Sequence, residues 1–265
     1  MTQRKEILLV GCGKMGGSLL NGWLTQKISA QISVVEPMQL DFPDGINLYS
    51  EVSSLPVDYK PSVVVFAVKP QLMDEVVAGY ARFVSENTLF LSIAAGKPIS
   101  YFAASLIEGA IVRAMPNTPA AVHRGITVLC ANDKVSQKQK DFSSLLMESV
   151  GEVTWINDEA LMDAVTGLSG SGPAYVFYLV EAMAVAGEAE GLSSDMAMKL
   201  ARATVIGSAE LLAQSEESAA TLREKVTSPG GTTAAALEVL MDPHGMTYLL
   251  TKAISEAAIR SRELA

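Results

Sequence analysis

The chain has 265 residues, enough for one or two domains with a substantial core. Hydrophobic residues make up 49% and charged residues 18%, which excludes an intrinsically disordered chain. A net charge of −9 argues against generic binding to nucleic-acid backbones, which needs surplus Lys and Arg, so no nucleic-acid partner is expected.

Arg4 and Lys5 precede a short apolar run at 7–10, too short for a signal peptide, and the run reads as a first strand. Further nearly continuous Val/Ile/Leu runs fall at 32–35, 63–68, 89–93, 111–114 and 126–130. Strands buried on both faces have this composition, as in a parallel sheet covered by helices. Helical patterns at 16–26, 73–84 and 100–108 lie between them, and the alternation predicts a doubly wound α/β domain. From 157–159 onwards no strand pattern remains. Helices are predicted at 159–166, 173–190, 195–214, 217–226, 232–241 and 246–264. The expected division is therefore 1–157 for the α/β domain and 158–265 for an all-α domain. The longest apolar stretch, 174–186, carries Glu181 and falls short of the roughly 20 residues a membrane span requires, so no membrane partner is expected. Its apolar residues run almost all round the helix, which predicts burial on every side. Cys12 and Cys130 make no disulfide framework, and two reduced thiols suit a cytoplasmic protein.

The chemistry is concentrated in a few short segments. Gly11, Cys12, Gly13, Lys14, Met15 and Gly16 form a G-x-G-x-x-G that follows the first strand and opens a helix. The first glycine serves the tight turn, the second lets the backbone approach a pyrophosphate, and the third lets helix pack on strand. Free N–H groups at the helix start then face the phosphates. This is the Rossmann arrangement, and it predicts a nicotinamide dinucleotide, NADH or NADPH. Glu36 ends the second strand about 20 residues further on, where an acid accepts from the adenosine ribose hydroxyls and repels the extra phosphate of NADPH. The loop of Ala67, Val68, Lys69 and Pro70 ends the strand at 63–68, and Ala94, Ala95 and Gly96 end the strand at 89–93. Ligands in open α/β sheets sit outside these carboxyl ends. Asn117, between Pro116 and Pro119, offers a donor and an acceptor to a substrate. In the helical half, 166–173 and 226–233 are rich in glycine and hydroxyls and each opens a helix, so each can present N–H groups to a small carboxylate. His123 and His244 stand apart from any ligand-spaced cluster, and no metal site is expected.

Taken together, GCGKMG, AVKPQ, MPNTP, TGLSGSGPAY and VTSPGGTT resemble, in order, the pyrroline-5-carboxylate reductase family, and the resemblance extends to the terminal helix. It implies a Rossmann domain followed by an all-α dimerisation domain. It also implies reduction of the cyclic imine Δ1-pyrroline-5-carboxylate to L-proline, the last step of proline biosynthesis, with hydride from a reduced nicotinamide. A homodimer or ring of dimers is implied, in which one subunit's helical domain completes its neighbour's site. On this resemblance Thr233 matches the threonine held near the imine nitrogen. Ser228, Gly230, Gly231 and Thr232 match the loop that holds the substrate carboxylate. Residues 67–70 and 94–96 match cofactor contacts. The family habit is NADPH, with a small polar residue in many members where Glu36 stands, so Glu36 leans the expectation towards NADH. β-Hydroxyacid dehydrogenases share the two-domain plan but place a lysine on the long helix after a glycine-rich turn, and 172–191 contains none. A non-catalytic NAD(H) sensor is the alternative outside enzymes, and cofactor oxidation with the imine separates the two.

Overall fold

The structure, a computed structural model, describes residues 5–38 and 42–264. Eight strands form one sheet: β1 (Lys5–Val10), β2 (Ala30–Val35), β3 (Ile46–Tyr49), β4 (Val63–Phe66), β5 (Leu89–Ser92), β6 (Ala110–Met115), β7 (Gly125–Ala131) and β8 (Gly151–Trp155). Their order is β3-β2-β1-β4-β5-β6-β7-β8. The first six follow the dinucleotide-fold order 3-2-1-4-5-6 and are parallel. β7 turns back antiparallel to β6, and β8 runs parallel to β7.

Alternation along each strand explains the continuous apolar runs. Ile7 and Leu9 pack with Val63, Val65, Leu89 and Leu91 on one face. Leu8 and Val10 pack with Val64, Phe66 and Phe90 on the other. Successive side chains point to opposite faces, so a strand covered on both sides must be apolar at every position. One face is covered by α1 (Lys14–Thr25) and α4 (Gln137–Glu148), through Leu19, Leu20, Trp23, Phe142 and Leu146. The Trp23 indole donates to the Leu146 carbonyl at 2.9 Å and ties the two helices together. The other face is covered by α2 (Met73–Val76), the 3₁₀ segment Val77–Phe83 that continues it, and α3 (Ile99–Ser105).

All six predicted strands are present. β3 and β8 are additional; both are short edge strands with no buried residue, and only β8 alternates between half-buried and exposed positions. The pattern at 73–84 is one α-helical turn that tightens into 3₁₀. Gly79, a poor helix former, sits in the tightened part. α4 is marked at its start: Ser136 accepts from the Gln139 N–H, and the Gln139 side chain reaches back to the Ser136 N–H.

After Trp155 no strand occurs among the described residues. A short α5 (Met162–Val165) runs into a π-helical turn, Thr166–Gly170. α6 (Gly172–Ala189), α7 (Ser194–Gln214), α8 (Ala219–Lys225), α9 (Thr232–Leu240) and α10 (Met246–Glu263) follow. Packing divides the chain into two compact units. One runs to Gly170 and takes in the chain again from Ala257; the other is Ser171–Glu256. Thus 158–170 and the last turns of α10 pack with the sheet. Within the helical unit, α6 and α7 meet through Ala184, Ala197 and Ala201, with Val180 and Met183 beside them. α6 is otherwise exposed or half-exposed along its length. In a single chain, therefore, the helix expected to be buried on every side is largely uncovered.

Candidate active site

The three glycines of the first loop have three different reasons to be glycine. Gly11 has φ +87°, and a Cβ there would lie 2.6 Å from Val68 Cγ1. A Cβ on Gly16 would lie 2.5 Å from the Gly11 carbonyl oxygen. The fold itself thus forbids a side chain at both. A Cβ on Gly13 would meet no protein atom within 4 Å. The fold does not need Gly13, but a pyrophosphate approaching the backbone does. Gly13 caps α1 without a side-chain hydrogen bond, so the first-turn N–H groups of Lys14, Met15 and Gly16 point out of the helix start. This loop fits a dinucleotide.

Glu36 sits just beyond β2, and its carboxylate is folded back onto the loop. The Cys12 N–H donates to Glu36 Oε2 at 2.8 Å and the Met38 N–H to Oε1 at 3.1 Å. Burial, and then the Glu36 charge, pushes the half-buried Cys12 thiol up to about 11. Cys12 therefore stays a neutral thiol at physiological pH and is a weak nucleophile.

Along the same sheet edge stand the ends of β4, β5 and β6. Ala67 donates its N–H to the Val10 carbonyl at 2.8 Å, and its methyl group faces Gly16. Val68 packs against Gly11, and exposed Lys69 precedes the 3₁₀ turn Pro70–Leu72. After β5, Ala94 and Gly96 are buried while Ala95 between them is exposed. After β6, the Asn117 amide is engaged at both ends: Oδ1 accepts from the Ile126 N–H at 3.0 Å, and Nδ2 donates to the Ser169 carbonyl at 3.3 Å. Asn117 thus braces the loop. Its partner belongs to the turn Thr166–Gly170. The sequence reads that segment as a glycine-rich helix cap, whereas it forms a π turn continuing α5. Such turns recur at functional sites. Ser169 Oγ is buried there with no hydrogen-bond partner.

In the helical unit, residues 228–231 form a turn closed by a bond from the Gly231 N–H to the Ser228 carbonyl at 3.0 Å. Pro229 holds the second position and Gly230, with φ +67°, the third, which is a type II turn. The turn delivers the chain into α9 with Gly231 as its cap and no side-chain cap bond. Ser228, Gly230 and Thr232 are exposed, while Gly231 and Thr233 are half-buried. The first-turn N–H groups and the Thr232 and Thr233 hydroxyls are thereby grouped at one helix start, an arrangement suited to an anion.

Other polar features belong to the framework. Arg113 is buried and pairs with Glu159 at 2.9 Å, and the same carboxylate oxygen accepts from the Ile99 N–H at 2.8 Å. His123 Nδ1 lies 3.0 Å from the Ser149 carbonyl. Among the described residues no group of three His, Cys, Asp or Glu is placed to hold a metal ion. Among the described residues, no helix is long and apolar enough to cross a membrane. A cavity of about 780 Å³ lies at the amino ends of the strands, lined by Lys5, Ser62 and Thr88, away from the glycine loop.

Comparison with known proteins agrees with this geometry. Residues 159–264 match the family model for pyrroline-5-carboxylate reductase dimerisation. The chain is 39% identical over 267 residues to the pyrroline-5-carboxylate reductase of Pseudomonas aeruginosa, covering 98% of this chain and 97% of that one. It superposes on the Coxiella burnetii enzyme with a TM-score of 0.90 at 33% identity, covering 99% of each chain. It superposes on the Plasmodium falciparum enzyme, a structure with NADP bound, with a TM-score of 0.82 at 29% identity, covering 100% of this chain and 99% of that one. The chain therefore belongs to the pyrroline-5-carboxylate reductase family, the NAD(P)H-dependent oxidoreductases that carry out the last step of proline biosynthesis.

Proposed function

We propose that residues 1–157 bind the dinucleotide and 158–265 serve substrate binding and dimerisation. The observation that carries this division is the pairing of an open Gly13 at one helix start with an uncapped, hydroxyl-rich start at α9. The first suits a pyrophosphate and the second a small carboxylate. Gly11 to Gly16, Glu36, residues 67–70 and residues 94–96 take the cofactor. Ser228, Gly230, Gly231 and Thr232 take the substrate carboxylate, with Asn117 bracing the loop after β6.

The reduced nicotinamide supplies a hydride to the imine carbon when bound. The C=N π electrons move onto nitrogen, which takes a proton, and the product is the secondary amine of proline. Thr233 donates a hydrogen bond to the imine nitrogen. That makes the carbon a better hydride acceptor, but a threonine hydroxyl is too weak an acid to be the proton's source. Water supplies it to the neutral imine; a substrate that arrives already protonated instead donates its own N–H to the Thr233 oxygen. The protein's larger contribution is placing imine carbon and nicotinamide in reacting contact.

The Glu36 carboxylate favours NADH over NADPH, because the ribose hydroxyls can donate to it while a 2′-phosphate meets like charge. The exposed apolar length of α6 supports a homodimer, or a ring of dimers, in which a second copy covers that helix. Two free cysteines suit the reducing cytoplasm. The test is spectrophotometric. Purified protein should consume NADH or NADPH when pyrroline-5-carboxylate is added. Turnover with 3-hydroxyacids but not with the imine would overturn the reading.

A further inference from the structure

The loop after β5 is held from two sides. On one, Lys97 is mostly buried, 3.7 Å from Asp74 and 4.3 Å above the Tyr101 ring. On the other, the chain's penultimate residue closes in. A Cβ on Gly96 would lie 3.0 Å from the Leu264 carbonyl oxygen and 3.3 Å from Leu264 Cβ. Gly96 also has φ +74°, so both its backbone and its neighbour require glycine. Between these supports Ala95 is the exposed apex. What fixes Leu264 is one turn back on α10. Ser261 is 5% exposed, and its hydroxyl donates to Asp163 Oδ1 at 2.7 Å. The Leu264 N–H then donates to the Ser261 carbonyl at 3.2 Å.

We propose that the Ser261–Asp163 hydrogen bond is a positioning device for cofactor binding. It seats the Leu264 backbone on Gly96 and so sets the height at which Ala95 meets the dinucleotide. Asp163, Ser261 and Leu264 are positioning residues, since they act on the dinucleotide through Gly96. The idea rests on the reading of 94–96 as a cofactor contact. It goes beyond it by assigning the placement of that contact to the end of α10. A loop held on one side only would move between several heights, and binding would have to select one of them.

The test uses the full-length protein and measures the Kd of NADH and of NADPH by nicotinamide fluorescence, with kcat and KM for pyrroline-5-carboxylate alongside. Ser261→Ala and Asp163→Ala should each raise the cofactor Kd about three- to tenfold, the scale of one buried hydrogen bond. The substrate KM should stay within about twofold and Tm within about 4 °C. Asp163→Asn keeps the acceptor oxygen and should restore the Kd. The double alanine variant should be no worse than either single one, because both remove one contact. Unchanged cofactor Kd in a folded Ser261→Ala protein overturns the proposal. Gly96→Ala separates this failure from the one beneath it. If Gly96→Ala weakens cofactor binding and Ser261→Ala does not, the clamp is wrong and the loop reading stands. If neither weakens it, the loop reading itself is wrong.

Discussion

The sheet unit and the helical unit are both rich in apolar residues, yet they use them in opposite ways. In the sheet unit Leu9, Leu19, Val65 and Phe66 are fully buried, and two clusters close over both faces. In the helical unit, among the described residues, the buried set is three alanines, Ala184, Ala197 and Ala201. The large side chains lie outside: Phe177 is 64% exposed, Tyr178 70% and Val239 72%. Monomers seldom leave apolar surface of this extent uncovered. The first sequence thus specifies its own core, and the second specifies half of one. The sheet unit is expected to fold as a chain property, and the helical unit as a property of the assembly.

The largest expected effect breaks the second unit alone. Phe177→Glu puts a charge on the exposed face of α6 and should leave a monomer by light scattering at micromolar concentration, with activity lost. Leu19→Ala, in the sheet core, should instead cost about 2–5 kcal/mol whatever the protein concentration. If Phe177→Glu remained a dimer, or gave an active monomer, the contrast between the units would collapse.

The contrast also governs what the sequence makes legible. Runs such as 63–66 and 89–92 identify central parallel strands because both faces demand apolar residues. The edge strands β3 and β8 face that demand on one side or neither, so Ile46–Tyr49 and Gly151–Trp155 carry no such run. The reversal at β7 follows from the connection through 116–124, which propensity does not encode. The helical unit's elements are legible from periodicity, but where their apolar faces go is not, because no element of the same chain covers them. For the site, Gly11 and Gly16 are legible as fold requirements and Gly13 as a ligand requirement. The commitment of Asn117 to Ile126 and Ser169, and the approach of Leu264 to Gly96, depend on long-range packing that spacing cannot reveal.

Substitutions in the chemistry should divide along the same line. Thr233→Ala, in the helical unit, should lower kcat/KM for pyrroline-5-carboxylate by about 10²-fold, the scale of one polarising contact. Cofactor Kd should be unmoved. A variant within threefold of the parent removes Thr233 from the mechanism. In the sheet unit the corresponding probe is Cys12. Its thiol is raised to about 11, so it should react with iodoacetamide at pH 8 about 10²-fold more slowly than an ordinary exposed thiol. The rate should climb as pH rises towards 11, because only the thiolate attacks. Fast alkylation of Cys12 at pH 8 would show that the Gly11–Gly16 loop is far more open than its packing implies.

The smallest expected effect is the most discriminating. Glu36, proposed to meet the adenosine ribose, also accepts from the Cys12 N–H, so a single substitution there mixes charge with loop support. Glu36→Gln goes furthest towards separating the two, since the amide keeps an acceptor oxygen for Cys12 and loses the charge, giving up only the Met38 N–H bond to the other oxygen. Glu36→Ser loses both. Like-charge repulsion between a carboxylate and a 2′-phosphate at an exposed rim is worth about 1–2 kcal/mol, or roughly tenfold in affinity. Glu36→Gln should therefore shift the NADH-to-NADPH ratio of kcat/KM towards NADPH by about tenfold, with NADH itself little weakened. Glu36→Ser should give the same shift and in addition weaken both cofactors, because the Cys12 N–H is left unpaired. Equal ratios in parent and Glu36→Gln would mean that the carboxylate serves the loop alone and the adenosine phosphate is read elsewhere. A strong NADPH preference in the parent would carry the same meaning.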